Sequence, residues 1–252
     1  MSKRDITDES PGAGSVDPKL HPPIAFGEED WAWFVERCAA LQIPDPAPQR
    51  ARCEALYGHL VGVNRWLNLT TVTDPRGWLK VHLLDSLSLI GDPRLDHLAD
   101  GAPCVDLGSG GGYPGLPLAT WFPRVPWILV DARRKKAEFL AAACALTGNP
   151  KAGARHARGA LIRGKETDLW RRCQLVTCRA MGQGDVVLRE AADLVRPHGF
   201  VALYKGPGYV GEESDRTLVV AEELGYRRIT ERKVVLEEND PVRTIIIFNR
   251  ER

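Results

Sequence analysis

The chain has 252 residues and a mass of 27.9 kDa, and 44% of its residues are hydrophobic and 27% charged. This is the composition of an ordinary globular protein and excludes collagen, coiled coils and wholesale disorder. The formal net charge of +1 makes no overall case for a nucleic-acid or membrane partner. Because there is no uninterrupted apolar run of about 18 residues and no signal-peptide core, we expect a cytoplasmic protein with no membrane partner.

The six cysteines are scattered along the chain without a CxxC pair. This spacing indicates neither a zinc site nor a disulfide framework, and we predict no metal site. We expect these residues to be reduced and mostly buried: Cys38, Cys53, Cys104, Cys144, Cys173 and Cys178.

The N-terminal region divides into a tail and a helical part. Residues 1–27 are rich in proline, glycine, serine and acids, and such a segment buries too little apolar surface to offset its ordering entropy. We predict a disordered tail there and a helical part over 28–95. Apolar residues at helical spacing follow the tail, and Asp74 and Pro75 suit the start of a helix. The predicted helices span 28–41, 48–67 and 75–90.

From residue 96 onward, short apolar runs alternate with helical stretches, which is typical of a parallel sheet with crossover helices. Strands are predicted near 103–107, 127–131, 154–157, 174–179, 199–204, 226–236 and 243–250, with helices near 115–122, 133–147, 184–196 and 212–224. The last two strands are joined by a loop too short for a crossover helix, so they should pair antiparallel. The predicted fold class is α/β, with a Rossmann-like, mostly parallel seven-stranded sheet in a domain spanning 96–252.

A glycine-rich loop, DLGSGGGYPG, follows the first of these strands and begins at Asp106. Glycines there let the backbone turn tightly and let a ligand approach main-chain N–H groups. The loop satisfies the dinucleotide pattern GxGxxG at Gly110, Gly112 and Gly115. It also satisfies D-x-G-x-G-x-G, the form used by S-adenosylmethionine (SAM) enzymes, at Asp106, Gly108, Gly110 and Gly112. Both patterns need an acid at the end of the second strand, where Asp131 stands.

Three features favour SAM over a dinucleotide. Asp106 has no obvious role in a dinucleotide site but can orient the loop and the amino-acid end of SAM. About 100 residues precede the first strand, whereas many dinucleotide-binding domains begin with it. The terminal antiparallel pair is typical of methyltransferases. A nicotinamide-dependent oxidoreductase and a ligand-free glycine turn remain the alternatives.

Six sequence motifs occur along the chain in a fixed order. They are Asn68-Leu-Thr70, His82-Leu-Leu-Asp85-Ser86, DLGSGGGYPGLPLA from Asp106, DARRKKAEFL from Asp131, Arg179-Ala180 and Tyr204-Lys205-Gly206. With these motifs, residues 28–252 resemble the ribosomal RNA small subunit methyltransferase G family, also called glucose-inhibited division protein B. The resemblance implies a class I methyltransferase fold, SAM as cofactor and methylation of a guanine N7 in small-subunit (16S) rRNA. It also implies cofactor contacts from Gly108, Tyr113, Asp131, the backbone near Gly159 and Ala160, and Arg179.

Several further residues are candidates for positioning. His82, Asp85 and Ser86 share one helix face and could hold the target base or the cofactor, or brace the helix against the sheet. Lys205 follows a strand at the ligand-bearing edge of the sheet, where it could meet a phosphate or remain solvated. Together with Arg179, these residues are the positioning candidates.

The charge is unevenly distributed. Residues 132–172 contain eleven lysines and arginines against three acids. Such asymmetry is typical of a phosphate-backbone partner, here 16S rRNA or the small ribosomal subunit, although a solvated helix face is the alternative. We expect a monomer whose RNA contacts are Arg133, Arg134, Lys135, Lys136, Arg158 and Lys205.

The residues at the end of the fourth strand restrict which type of atom the enzyme can methylate. Enzymes that methylate exocyclic amines use an Asn/Asp-Pro-Pro-aromatic turn there, and this chain has TCRAM at 177–181. A pyrimidine C5 needs a cysteine thiolate, for which Cys178 is the candidate but lacks a preceding proline. Guanine N7 has a free lone pair, so its methylation needs no catalytic base or nucleophile. A non-catalytic ribosome-associated module with a vestigial loop is the remaining alternative.

Overall fold

The structure, a computed structural model, describes residues 14–157 and 168–251. Helix α1 spans Glu28–Ala40 and α2 spans Arg50–Leu67. Helix α3 has three consecutive parts: Pro75–Gly77, a π-helical Trp78–Leu84 and Asp85–Leu87. The Asp74 carboxylate accepts a bond from the backbone N–H of Gly77 at 2.6 Å, so it caps α3 as predicted. Within the described ranges, no helix is long and apolar enough to cross a membrane.

The sheet has seven strands in the order β3-β2-β1-β4-β5-β7-β6. The strands are β1 Cys104–Leu107, β2 Trp127–Asp131, β3 Ala152–His156, β4 Cys173–Arg179, β5 Val195–Lys205, β6 Tyr226–Val234 and β7 Arg243–Arg250. The connecting helices are α4 Gly115–Trp121, α5 Arg134–Cys144, α6 Gly184–Ala191 and α7 Glu212–Glu223. Strands β1 to β5 pair in parallel, and β7 pairs antiparallel with both β5 and β6, which confirms the predicted fold class. Because β2 and β4 flank β1, the carboxyl ends of these strands form the switch point at which such sheets bind ligands.

Helix α6 and strand β5 differ from their predicted bounds. The helix ends at Ala191 instead of near 196, and β5 begins at Val195, which pairs with Cys173 across a shift in register. Leu194 and Val195 continue the apolar spacing of a helix. In the structure, Leu194 is buried at the end of the turn and Val195 is buried as the first residue of the strand. Periodicity alone does not distinguish these positions from a continued helix.

The N-terminal helices share a hydrophobic core with one face of the sheet. Phe34 of α1, Leu60 of α2 and Trp78 of α3 belong to the same buried cluster as Trp127 of β2 and Phe139 of α5. A second cluster fills the other face, between β4, β5 and the helices α6 and α7. The helical part is therefore packed on the sheet, with no separate core of its own among the residues described.

The expectation of a disordered tail does not hold for residues 14–27. The ring of Phe26 is 3% exposed and stacks on Trp31, Tyr57 and Trp78. The carbonyl of Val16 bonds to Nε2 of the buried His59 at 2.8 Å. The buried ring of Phe26 and a few backbone hydrogen bonds therefore hold residues 14–27 in place, although their composition is typical of a disordered segment. Residues 1–13 lie outside the described part of the chain.

Candidate cofactor site

A cavity of about 580 Å³ opens at the carboxyl ends of β1, β2 and β4. Its volume is that of a small-molecule or cofactor site, and its place is the switch point of the sheet. The glycine loop and the ends of the strands supply most of its wall. The lining includes Leu69, His82, Gly108, Gly110, Tyr113, Asp131, Arg133, Lys136, Arg179, Ala180, Met181, Val186 and Glu190.

The predicted glycines have different positions in the loop. Gly108, Gly110 and Gly112 all have positive φ, at +66°, +57° and +97°, a conformation that favours glycine. Gly108 and Gly110 line the cavity, and a Cβ on Gly110 would come no closer than 3.8 Å to another atom, so a side chain there would occupy the cavity. Gly112 faces away, since its Cβ would lie 2.2 Å from Cδ1 of Leu116. Gly112 therefore shapes the loop and does not line the cofactor cavity.

Asp106 lies beneath the loop. Its carboxylate accepts bonds from the backbone N–H of Gly115 at 3.1 Å and from the Thr177 hydroxyl at 2.8 Å. Burial raises the pKa of Asp106 to about 6, although these bonds favour the charged form. Asp106 is fully buried and outside the cavity lining, so it ties β1 to β4 and α4. The structure supports the loop-orienting role predicted for it but not direct contact with the cofactor.

Asp131 ends β2 in the cavity wall. Its two carboxylate oxygens accept bonds from the backbone N–H groups of Gly110, at 3.0 Å, and Arg133, at 2.8 Å. A carboxylate oxygen can accept more than one bond. Asp131 can therefore hold the glycine loop and still accept bonds from the two hydroxyls of a ribose.

Arg179, at the end of β4, is the centre of a buried polar cluster. Its Nη1 donates to Oδ2 of Asp85 at 2.7 Å and to the carbonyl of Val81 at 2.8 Å. Its Nη2 donates to Nδ1 of His82 at 3.2 Å, and the guanidinium lies 5.2 Å from the ring centre of Tyr113. The predicted candidates Arg179, Asp85, His82 and Tyr113 are thus brought together, with α3 joined to β4.

His82 has both ring nitrogens engaged. Because Nδ1 accepts from Arg179, the proton is assigned to Nε2, which donates to Oγ1 of Thr70 at 2.8 Å. Its ring stacks on Tyr113 with centroids 4.4 Å apart. Burial, and then the charge of Arg179, lower the pKa of His82 to about 3. His82 is therefore neutral at physiological pH and lacks a free nitrogen for proton transfer.

The third member of that helix face, Ser86, has a bracing role. Its hydroxyl donates to the carbonyl of His82 at 2.5 Å, within α3. Its own carbonyl accepts from the Tyr204 hydroxyl of β5 at 2.7 Å. The structure favours bracing of α3 against the sheet for Ser86. It places His82 in the cavity lining, and Asp85 behind it as the partner of Arg179.

Sequence reasoning missed the role of Asn64. Its side-chain oxygen accepts from the backbone N–H groups of Leu69 and Thr70, at 2.6 and 3.0 Å, and its Nδ2 donates to the carbonyl of Thr70. These bonds place Leu69 in the cavity wall and Thr70 against His82. The Asn68-Leu-Thr70 motif was the available signal, but its spacing does not reveal a bond to Asn64.

Sequence reasoning also missed three residues after β4 that line the cavity, namely Met181, Val186 and Glu190.

Lys205 does not offer a free ammonium group to a phosphate. Its Nζ bonds to Oε1 of Glu213 at 2.7 Å and to the carbonyl of Gly182 at 2.8 Å. The side chain is 11% exposed. This ion pair joins β5 to α7 and to the loop after β4, so the predicted RNA contact at Lys205 is replaced by a structural one.

The basic run at the start of α5 lies beside the cavity. Arg133 and Lys136 line it, whereas Arg134 is exposed and pairs with Glu138 on the helix surface at 2.8 Å. Lys135 is exposed, with its Nζ 5.9 Å from the ring of Trp66. The predicted contacts at Arg158, Gly159 and Ala160 lie outside the described residues.

Comparison with known proteins identifies the family. Residues 49–223 match the family model GidB, described as rRNA small subunit methyltransferase G. A protein of Sorangium cellulosum named ribosomal RNA small subunit methyltransferase G is 40% identical over 173 residues, which are 69% of this chain and 71% of that protein. The protein of the same name from Geobacter sulfurreducens is 37% identical over 174 residues, 67% of this chain and 74% of that one.

The chain belongs to the rRNA small subunit methyltransferase G family. Its fold agrees with the YcgJ protein of Bacillus subtilis, with a TM-score of 0.50 and 14% identity over 66% of this chain and 98% of that chain. As a member of this methyltransferase family, the chain is an enzyme that uses SAM. The predicted family, activity and cofactor are confirmed, and the oxidoreductase and non-catalytic alternatives are set aside.

The cavity of this family member fits SAM. Gly110 leaves open the space that a side chain would fill, and Asp131 presents a carboxylate suited to ribose hydroxyls. Tyr113 and Arg179 line the same cavity and are held in place by other contacts. One of these is the bond from Nε1 of Trp78 to the Tyr113 hydroxyl at 2.6 Å. The residues that would hold the cofactor are therefore positioned before it binds.

Proposed function

We propose that this methyltransferase modifies N7 of a guanine in 16S rRNA, either free or in the small ribosomal subunit, acting as a monomer in the cytoplasm. Membership of the rRNA small subunit methyltransferase G family, matched over residues 49–223, carries the proposal. The chemistry of the cavity and the position of the basic residues support it.

The first support is the chemistry of the buried polar cluster around Arg179. The histidine of this cluster is not suited to transfer a proton at neutral pH. When bound, SAM supplies a methyl group on a positively charged sulfur. Guanine N7 has an in-plane lone pair and no proton to remove, so the protein needs only to hold the base in line with that methyl group. His82 fits this picture because its pKa is lowered to about 3 and both nitrogens are engaged.

The second support is the state of Cys178. The thiol is 3% exposed and lies outside the cavity lining. Burial, and then the nearby Asp106 charge, raise its pKa to about 12. A thiolate attack on a pyrimidine ring is therefore disfavoured, in agreement with methylation of a purine.

The remaining roles belong to the same proposal. Asp131 accepts bonds from the ribose hydroxyls. The family resemblance assigns cofactor contacts to Gly159 and Ala160, and the uneven charge distribution assigns an RNA contact to Arg158. Arg179 and Tyr113 form a preformed wall against which the cofactor and the base are oriented.

Single-turnover transfer from labelled SAM to 16S rRNA and to small subunits, with mapping of the modified nucleotide, tests the function. We expect 7-methylguanosine, and a rate nearly constant from about pH 7 to 8.5, because neither His82 nor Cys178 titrates there and Asp106, with a pKa of about 6, is mostly ionised. Folded Cys178→Ala should retain most of the activity. A methylated cytosine, together with an inactive Cys178→Ala protein that still binds SAM, would contradict the proposal.

A charge reversal tests the RNA surface separately. Arg134→Glu with Lys135→Glu should weaken rRNA binding and lower the slope of log affinity against log salt by roughly 0.7–0.9 for each phosphate that is no longer neutralised. Arg133 is retained because it lines the cofactor cavity. SAM affinity, measured by calorimetry, should stay within a few-fold.

The matched control reverses two exposed cations of the edge strand β6, Arg227 and Arg228, which pair with the end of β7 opposite Arg243. This control should leave the salt slope unchanged. Equal effects of the two pairs would show that the start of α5 is an ordinary solvated surface.

A further inference from the structure

A second cavity, of about 430 Å³, lies beside the cofactor cavity at the carboxyl ends of β4 and β5. Arg179 and Ala180 line both cavities. Ala180 has a φ of +56°, a left-handed conformation that is strained for a residue with a Cβ. The turn after β4 therefore lines both cavities, which meet at Arg179 and Ala180, and the Ala180 side chain is only a methyl group.

The charges in the wall of the second cavity are mostly paired. Asp85 is paired with Arg179, and Glu213 with Lys205. Arg243, the first residue of β7, differs from them. Its side chain is half-buried in the wall and makes no hydrogen bond or ion pair with any residue in the described ranges.

Because the Arg243 guanidinium has no protein partner among the described residues, its donors are available to a ligand in this cavity that carries an acceptor atom. Arginine keeps its charge, carries five N–H donors and has no acceptor, so it is satisfied only by acceptors. The ring of Tyr209 lines the same cavity, with Nζ of Lys205 5.6 Å from its centroid, and supplies an aromatic surface against which a nucleobase can pack. A planar base with an exposed oxygen acceptor meets both requirements.

The chemistry of the purines selects one base. Guanine and adenine both carry N7, but guanine has the acceptor O6 beside it where adenine has an amino donor. A donor-only guanidinium bonds to O6 and opposes the adenine amino group. A bond to O6 alone leaves the N7 lone pair free for the methyl group.

We propose that the second cavity holds the target guanine and that Arg243 donates to its O6, which selects guanine over adenine. This inference rests on the proposed function and adds the residue that specifies the base. The base then lies beside the cofactor cavity, where the two cavities meet at Arg179 and Ala180. Tyr209 supplies the stacking surface.

The test uses 16S rRNA ligated to carry, at the mapped target, either guanosine or 2,6-diaminopurine riboside. The analogue replaces O6 by an amino group, changes N1 from a donor to an acceptor, and retains N7 and the 2-amino group. Wild-type kcat/KM should fall at least about tenfold on the analogue, as expected when one specific hydrogen bond to the base is removed. Arg243→Ala should fall by a similar factor on guanosine and show no further decrease on the analogue.

Two controls and a binding measurement accompany the kinetics. Lys233→Ala removes an exposed cation from the neighbouring strand and should not change the discrimination between the two RNAs. Arg243→Lys retains a donor and should recover part of the preference. RNA affinity with S-adenosylhomocysteine present should show the same preference without turnover, and SAM affinity should be unchanged in Arg243→Ala, which also reports folding.

The other outcomes are distinct. Equal decreases of kcat/KM for Arg243→Ala on both RNAs, with a lower salt slope, would assign Arg243 to a phosphate and overturn the inference. Unchanged discrimination in Arg243→Ala would overturn it as well. A wild-type enzyme that leaves guanine N7 unmethylated in every RNA would instead overturn the proposed function, and this inference with it.

Discussion

Asp131→Ala is expected to weaken SAM binding by at least about tenfold, measured by calorimetry. The carboxylate lies in the cavity wall and is placed to accept the ribose hydroxyls. Removal of a charged acceptor from such donors costs roughly 1–3 kcal/mol, and 1.4 kcal/mol corresponds to a factor of ten in affinity. The variant also lacks the bonds that hold the N–H groups of Gly110 and Arg133, so the effect should exceed that of the ribose bonds alone.

Glu138→Ala is the matched control for this prediction. Glu138 is an exposed carboxylate on α5, where it pairs with Arg134. Its removal changes the local charge by the same amount without touching the loop, so SAM affinity should change less than about twofold. Equal affinities of Asp131→Ala and the wild type would place the cofactor away from the end of β2.

Arg179→Ala is expected to destabilise the protein by about 3–5 kcal/mol and to abolish methyl transfer. The substitution leaves the carboxylate of Asp85, which is 7% exposed, buried without its partner, and removes bonds to Val81 and His82. Removing one partner of a buried ion pair has a cost of this size because the other charge stays uncompensated. Denaturant unfolding measures the decrease in stability.

Two further variants test whether the unpaired charge of Asp85 causes the loss of stability in Arg179→Ala. Asp85→Ala combined with Arg179→Ala removes both charges and should be more stable than Arg179→Ala, but still inactive. Arg155→Ala, which breaks the more exposed pair with Asp168 at 2.6 Å, should cost less than about 1 kcal/mol. A double variant no more stable than Arg179→Ala would show that the stranded charge is not the cause.

The parts of this enzyme that sequence predicts are those encoded locally. Strand periodicity, the glycine loop and the acid at the end of β2 each depend on a short stretch, and the structure has all three in place. Lys205 shows what local sequence cannot predict. A lysine at the ligand-bearing edge has the same local sequence whether it is free or, as here, paired with Glu213.

Side-chain direction and distant partners account for the other differences. Asp106 follows the family pattern, yet its carboxylate turns to Thr177 on the neighbouring strand, 71 residues later. Phe26 is buried only because Tyr57 and Trp78 come together behind it. Such contacts depend on packing between elements far apart in sequence, which composition and spacing do not contain.

The position of β7 has a consequence for synthesis of the chain. Strand β7 is the last in chain order but lies between β5 and β6 in the sheet. While the polypeptide is still emerging from the ribosome, β5 therefore exposes an unpaired edge and β6 has no neighbour in the sheet. Sheet assembly, and with it the placement of Arg243, is completed only when residues 243–250 become free to fold.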